Sequence, residues 1–138
     1  MKILLAVDGS KPSLKAVQML IDRASWYRSR PEVELIAVHR PLPTMRGVSK
    51  GQAERYYAEE CASMLAAARK KLDGAGIAHR ARALVGPVAE TIVRHAKDKR
   101  CDLIVIGTRG MGELKSALIG STAIKVLHLS DTPVLLVK

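Results

Sequence analysis

The residues with the most chemical promise lie together between positions 107 and 122, in the run Gly107-Thr108-Arg109-Gly110-Met111-Gly112-Glu113-Leu114-Lys115-Ser116-Ala117-Leu118-Ile119-Gly120-Ser121-Thr122. Glycines let backbone N–H groups come close to phosphate oxygens, and a hydroxyl at a helix N-terminus adds a donor where the helix dipole favours negative charge. Arg109 and Lys115 could neutralise a polyphosphate. A second group, Asp8-Gly9-Ser10, is ordinary turn chemistry by composition, yet it stands at the end of an apolar run where a ligand could meet the Asp8 carboxylate. The pattern GxxxxGK[ST] is absent, and no GxGxxG follows the first strand, so neither a P-loop nor a dinucleotide fingerprint is present. His39, His79, His95 and His128 fall on different elements without metal-ligand spacing, and no structural metal is expected. No Ser-His-Asp set stands out. Asp8 and Glu113 are the only evident bases near the glycine-rich segment, so no catalytic residue is assigned.

The elements that must position these groups alternate in type. Lys2 to Val7 is too short for a helix and nearly all apolar, as in a strand buried on both faces. Ser10 can cap the helix that follows; Pro12 suits its first turn, and Leu14, Val17, Ile21 and Ala24 form one stripe, with an end expected near Arg28 to Pro31. Val33 to His39 reads as a second strand. Residues 40–51 read as a long basic loop, with Arg40, Arg46 and Lys50 and no acid. Tyr57, Cys61, Met64, Leu65, Ala68 and Leu72 then keep helical spacing until Gly74 and Gly76 stop it.

Ile77 to Val85 alternates, with Arg80 and Arg82 opposite His79, Ala81, Ala83 and Val85, as in a strand at a sheet edge. Gly86-Pro87 opens a helix whose Ala89, Ile92, Val93 and Ala96 share a face. Asp102 to Gly107 is a further buried strand, Ser121 to about Ser130 a helix, and Pro133 to Val137 a closing strand. The pattern βαβαβαβαβ with right-handed crossovers predicts a doubly wound α/β fold, a five-stranded parallel sheet with helices on both faces. In such sheets ligands bind beyond the carboxyl ends of the strands where the strand order reverses, which points to the loops after the first and fourth strands.

Composition bounds the function. At 138 residues the chain has the length of a single domain, and 48% hydrophobic with 26% charged residues suffices for a buried core. No run approaches the ~18 uncharged apolar residues of a membrane-spanning helix, and Asp8 interrupts the N-terminal apolar run before any cleavage pattern. Cys61 and Cys101 fit neither a zinc ribbon nor a CxxC pair, so a reduced, cytoplasmic setting is expected. The net charge of +10 raises a polyanion partner, but 3% aromatic residues and no Phe leave no stacking platform for single-stranded nucleic acid.

The run from Gly107 resembles the nucleotide-binding signature of the universal stress protein family, G-2x-G-9x-G-[S/T], with Gly107, Gly110, Gly120 and Ser121 at every required place. Chance would place these residues so in about one chain of this length in two hundred at average composition. The resemblance extends to Val7-Asp8-Gly9-Ser10, Gly86-Pro87, Asp102 to Gly107 and Pro133 to Val137, hence over residues 1–138 as a single domain. It implies a sheet of order 3-2-1-4-5 of the adenine nucleotide alpha hydrolase-like kind. It also implies a site for ATP or a related nucleotide (ADP or AMP), which could bring Mg2+. Asp8 and Ala6 would lie by the nucleotide, Val38 would contact adenine, and Gly107, Arg109, Gly110, Gly120, Ser121 and Thr122 would hold ribose and phosphates.

In that order the strand Val134, Leu135, Leu136 and Val137 lies at an edge, apolar and without the inward charge that usually guards one. Pairing with a second copy about a two-fold axis would cover it, and the resemblance likewise implies a homodimer. The first functional expectation is therefore a cytoplasmic, ATP-binding stress-response regulator that signals nucleotide state to a protein partner, with the loop after the second strand as a lid. The alternatives are a basic protein- or nucleic-acid-interaction module with a vestigial pocket, and a slow ATPase or self-phosphorylating protein using Ser121 or Thr122. Salt-dependent polyanion binding would mark the former; turnover abolished by Asp8→Ala would mark the latter.

Overall fold

The apolar runs at Lys2 to Val7, Val33 to His39 and Asp102 to Gly107 become strands with both faces covered. The computed structural model describes residues 1–44, 46–110 and 119–138. Strand β1 (Lys2–Ala6) pairs in parallel with β2 (Glu32–His39) and with β4 (Leu103–Gly107), while β3 (His79–Val85) and β5 (Val134–Val137) form the two edges. The sheet order is β3-β2-β1-β4-β5, the order expected. Successive side chains alternate between its faces. Ile3, Leu5, Val33, Leu35 and Ala37 join one core cluster, and Leu4, Ala6, Ile36, Val38 and Ile104 join the other.

Helices α1 (Lys11–Asp22) and α2 (Lys50–Gly74) cover the first face through Ala16, Val17, Leu20, Cys61, Leu65, Ala68 and Leu72. Helices α3 (Val88–Asp98) and α4 (Ser121–Leu129) cover the second through Ala89, Ile92, Ala96 and Val126. Full burial of a Leu, Ile or Val is worth about 1.5–3 kcal/mol, so both layers contribute. The Ser10 side chain caps α1 by accepting from Ser13 N at 3.2 Å, and Pro12 stands in its first turn.

Two helix boundaries differ from expectation, and β3 begins at His79 rather than at Ile77. Helix α1 stops at Asp22, and a single 3-10 turn, Ala24–Trp26, follows, because the apolar stripe has run out: Trp26 is exposed, with Arg23 over its ring, 4.7 Å from the centroid. The basic loop ends at Ser49, not at residue 51. Ser49 and Gln52 form a reciprocal capping box, so Lys50 and Gly51 already belong to α2. Those first turns are polar, and apolar spacing alone could not reveal them.

Candidate functional site

Strand order reverses between β1 and β4, and the segments leaving these strands splay to opposite faces of the sheet. A crevice of about 810 Å3 opens there, within the range of small-molecule sites. Its apolar lining is the top of the second core: Ala6 of β1, Ile36 and Val38 of β2, Val88 and Ile92 of α3, and Ile106 of β4. Its polar lining comes from Asp8 and Ser13 after β1, and from Gly107 to Gly110 with Gly120 to Thr122 after β4. Ala6, Asp8, Val38, Gly107, Arg109, Gly110, Gly120, Ser121 and Thr122 are thus brought to one cavity from three strands and two connections. Gly112, Glu113 and Lys115 lie outside the described residues.

Asp8 is held by its own turn. Its Oδ1 accepts from Ser10 N at 2.9 Å, its backbone N donates to Ser13 Oγ at 3.4 Å, and Gly9 between them has φ +81°. The two glycines of the following loop serve different ends. A Cβ on Gly107 would lie 2.8 Å from the carbonyl oxygen of Pro12, so Gly107 lets α1 pack against the end of β4. A Cβ on Gly110 would lie 2.6 Å from Asp8 Oδ2, so Gly110 lets the loop backbone reach the carboxylate across the crevice.

The far end of the loop is tied back to the sheet. Gly120 N donates to Thr108 O at 2.6 Å, and Thr108 N donates to Val137 O at 2.8 Å, which sets the start of α4 beside the end of β4. Gly120 is the N-cap of α4 and offers no capping side chain; Gly120, Ser121, Thr122 and Ala123 all line the crevice. A helix start without an acid in its first turn, beside Arg109, is an anion-accepting arrangement. The cavity therefore joins an apolar lining to a polar rim that carries the Ser121 and Thr122 hydroxyls and the Arg109 guanidinium. That combination suits a planar base carrying phosphate.

Sequence reasoning missed several lining residues. Val88 and Ile92 enter because α3 begins at the same end of the sheet, which the rule placing ligands beyond the strands' carboxyl ends could have signalled. Met64, His39 and Arg40 enter from α2 and the end of β2, and only the packing of α2 over β2 reveals them. The four histidines stand on separate elements: His79 Nδ1 lies 3.1 Å from Ile77 O, and His95 Nε2 lies 3.3 Å from Glu34 Oε2, far from the crevice rim. Among the described residues, no group of His, Cys, Asp and Glu side chains is arranged to hold a metal ion.

Comparison with known proteins agrees with this architecture. The family model described as Universal stress protein family matches residues 1–138. A universal stress protein of Bacillus subtilis (YxiE) is 30% identical over 147 aligned positions, covering 99% of this chain and 98% of its own. One from Methanocaldococcus jannaschii is 34% identical over 140 positions, covering 99% and 81%. Among solved structures, a universal stress protein in complex with cAMP superposes with a TM-score of 0.70 at 26% identity, covering 99% of this chain and 95% of that one. Among the described residues, no helix is long and apolar enough to cross a membrane.

Proposed function

The chain belongs to the universal stress protein family, and from that premise we propose that its crevice binds ATP or a related adenine nucleotide, with which Mg2+ could enter, and that the protein acts as a cytoplasmic stress-response regulator. The observation that carries the reading is the junction of the two linings at the strand-order reversal. Ala6, Ile36, Val38, Val88 and Ile92 offer a slot for the base, and the Gly107 to Gly110 loop with the start of α4 offers donors to ribose and phosphates. The solved relative bound to cAMP supports an adenine nucleotide as the ligand class. Asp8, held by Ser10 N, is oriented to accept from a ribose hydroxyl; Arg109 supplies positive charge, and Ser121 and Thr122 stand at the positive end of the α4 dipole. This arrangement binds and orients; none of these residues is assigned a catalytic step.

Signalling would follow from closure of residues 40–44, which leave β2 beside the cavity. Leu42 N already donates to the Tyr57 hydroxyl at 2.8 Å, which ties this connection to α2. The β5 edge supports a homodimer as the regulator's working form. Leu135 on β5 and Ile124, Leu127 and Leu129 on α4 are exposed apolar side chains, and a second β5 across a two-fold axis would cover the outer edge of this strand. Light scattering that gives a monomer at micromolar concentration would remove the dimer from this reading.

Isothermal titration with ATP and AMP in the presence of Mg2+ tests the site. Saturable binding by the wild type should be lost in Gly110→Val, whose side chain collides with Asp8, and retained in a Trp26→Ala control far from the crevice. Absence of binding by the wild type would overturn the reading.

A further inference from the structure

The two edges of the sheet carry different chemistry. β5 is apolar throughout, whereas β3 sets Arg80 and Arg82 on one face and His79, Ala81, Ala83 and Val85 on the other. Among the described residues no strand lies beyond β3. In a parallel ladder every second residue bonds to a given neighbour through both its N–H and its C=O, and the residues between direct theirs the other way. Val33 N donates to Ala78 O at 3.2 Å and Gly86 N donates to His39 O at 3.0 Å, so Arg80, Arg82 and Leu84 are the residues of β3 that bond to β2. His79, Ala81, Ala83 and Val85 therefore direct their N–H and C=O groups outward, along an edge where Arg80, Arg82, Ala83 and Val85 are exposed.

The arginines select the kind of strand this edge can take. Arg80 Nε lies 3.9 Å from Glu32 Oε1 and Arg82 Nε lies 3.6 Å from Glu34 Oε2, both beyond hydrogen-bond distance, and the two side chains are 67% and 45% exposed. Each guanidinium thus keeps its donors for a further carboxylate. A second copy paired antiparallel through β3 would set these arginines beside their own images, and like charges on neighbouring strands repel. An acidic strand would place carboxylates beside them instead, because residues two apart on an added strand share a face and match the spacing of Arg80 and Arg82. On the opposite face Ala81 and Ala83 are small and Val85 is exposed, which suits apolar residues between the acids. Nucleic acid would meet the two charges, but it carries no row of amide donors and carbonyl acceptors to pair with the edge.

We propose that the free edge of β3 is a docking site for an extended segment of a partner protein in which acidic and apolar residues alternate. The segment adds to the sheet as a further strand: its backbone pairs with His79, Ala81, Ala83 and Val85, its carboxylates meet Arg80 and Arg82, and its apolar side chains lie beside Ala81, Ala83 and Val85. This site is at the opposite edge from β5, so it leaves that strand free for a second copy, and it does not depend on the nucleotide reading.

The probe is a dye-labelled, end-capped peptide of alternating valine and glutamate with the seven-residue length of β3, titrated with the full chain and read by fluorescence anisotropy. Saturable binding is expected. N-methylation of one alternate set of peptide nitrogens should weaken it by about ten-fold or more, and of the other set by less than about three-fold, because only one set faces β3. The same peptide with lysine in place of glutamate should bind at least about ten-fold more weakly. In the protein, Ala83→Pro removes an N–H that points away from β2, so it should keep the far-UV circular dichroism of the wild type and lose about ten-fold or more in peptide affinity. Arg80→Gln combined with Arg82→Gln should weaken the peptide by about three- to ten-fold. Absence of saturable binding, equal effects of the two N-methylated sets, equal affinity for the glutamate and lysine peptides, or unchanged affinity in a folded Ala83→Pro would each overturn the inference. A dimer by light scattering that Ala83→Pro abolishes would assign the edge to a second copy and overturn it too. Binding of oligodeoxythymidylate that is tighter than that of the peptide and indifferent to Ala83→Pro would give the arginines to nucleic acid, with the same result.

Discussion

Replacing His95 by leucine should destabilise the protein more than replacing Glu34, although the two side chains touch each other. Glu34 is a carboxylate at 1% exposure in β2, on the face packed by α3. Its Oε2 lies 3.3 Å from His95 Nε2 and 3.6 Å from Arg82 Nε; its Oε1 lies 3.7 Å from Lys2 Nζ and has no hydrogen-bond partner among the described residues. His95 thus supplies the shortest of these contacts. Without it the carboxylate stays buried with two cations beyond hydrogen-bond distance, and a hydrogen bond to a charged group is worth ~1.5–3 kcal/mol. Breaking a buried pair from one side reaches ~3–5 kcal/mol. We therefore expect His95→Leu to cost about 2–4 kcal/mol. Glu34→Leu leaves cations that can recover water, because the Lys2 and Arg82 side chains are 23% and 45% exposed. It also adds apolar surface beside Leu4, Ile36 and Ile104, so its cost should be about 0–2 kcal/mol. The double variant should be at least as stable as His95→Leu alone. Urea unfolding at pH 7 followed by far-UV circular dichroism is the assay, since Trp26 is exposed and reports poorly on the core. Equal costs, or a His95→Leu cost below about 0.5 kcal/mol, would refute the reasoning that the histidine is what makes the buried carboxylate tolerable.

Three other outcomes follow from the same structure. Ser10→Ala removes the cap of α1 and should lower the unfolding free energy by about 1 kcal/mol, measured in the same denaturation. Burial pushes the thiols of both Cys61 and Cys101 up from their ordinary pKa, so at pH 8 both should react slowly with a disulfide reagent in the native protein and rapidly in urea; fast native labelling of Cys61 would contradict its burial between α2 and the sheet. Lys125, by its hydrogen bond to Glu90, holds that carboxyl below the usual glutamate value and links α4 to α3. A depressed carboxyl contributes above its unfolded pKa and loses the contribution as pH falls through the folded value, so any deficit of Lys125→Met at pH 7 should shrink progressively as the pH is lowered below the ordinary glutamate range when the two unfolding curves are compared.

Much of the fold was legible because its signals are local. Lys2 to Val7 and Asp102 to Gly107 are short apolar runs between turn residues, and a run of that kind has few other fates than a strand covered on both faces. The glycine spacing from Gly107 to Gly120 marked one wall of the site, since close backbone approach needs glycine wherever the loop is placed, as Gly110 against Asp8 shows. The polar first turns of α2 were hidden because apolar periodicity reports only the face a helix buries; Ser49 and Gln52 held the only local sign of its start.

What the sequence by itself determined is the order of the elements, the parallel sheet they must form and the donor-rich rim after β4, all of which follow from spacing within short segments. What only the tertiary structure decided is which distant side chains share a space. Glu34 reads in sequence as one charged residue within an apolar strand, and its company is set by a helix residue 61 positions away and by two neighbouring strands. His39 likewise reads as a lone histidine until α2 folds across the end of β2 and brings Tyr56 and Tyr57 against it. Pairings of this kind depend on sheet register and helix docking, which arise from the whole core at once, so no local pattern in the chain could announce them.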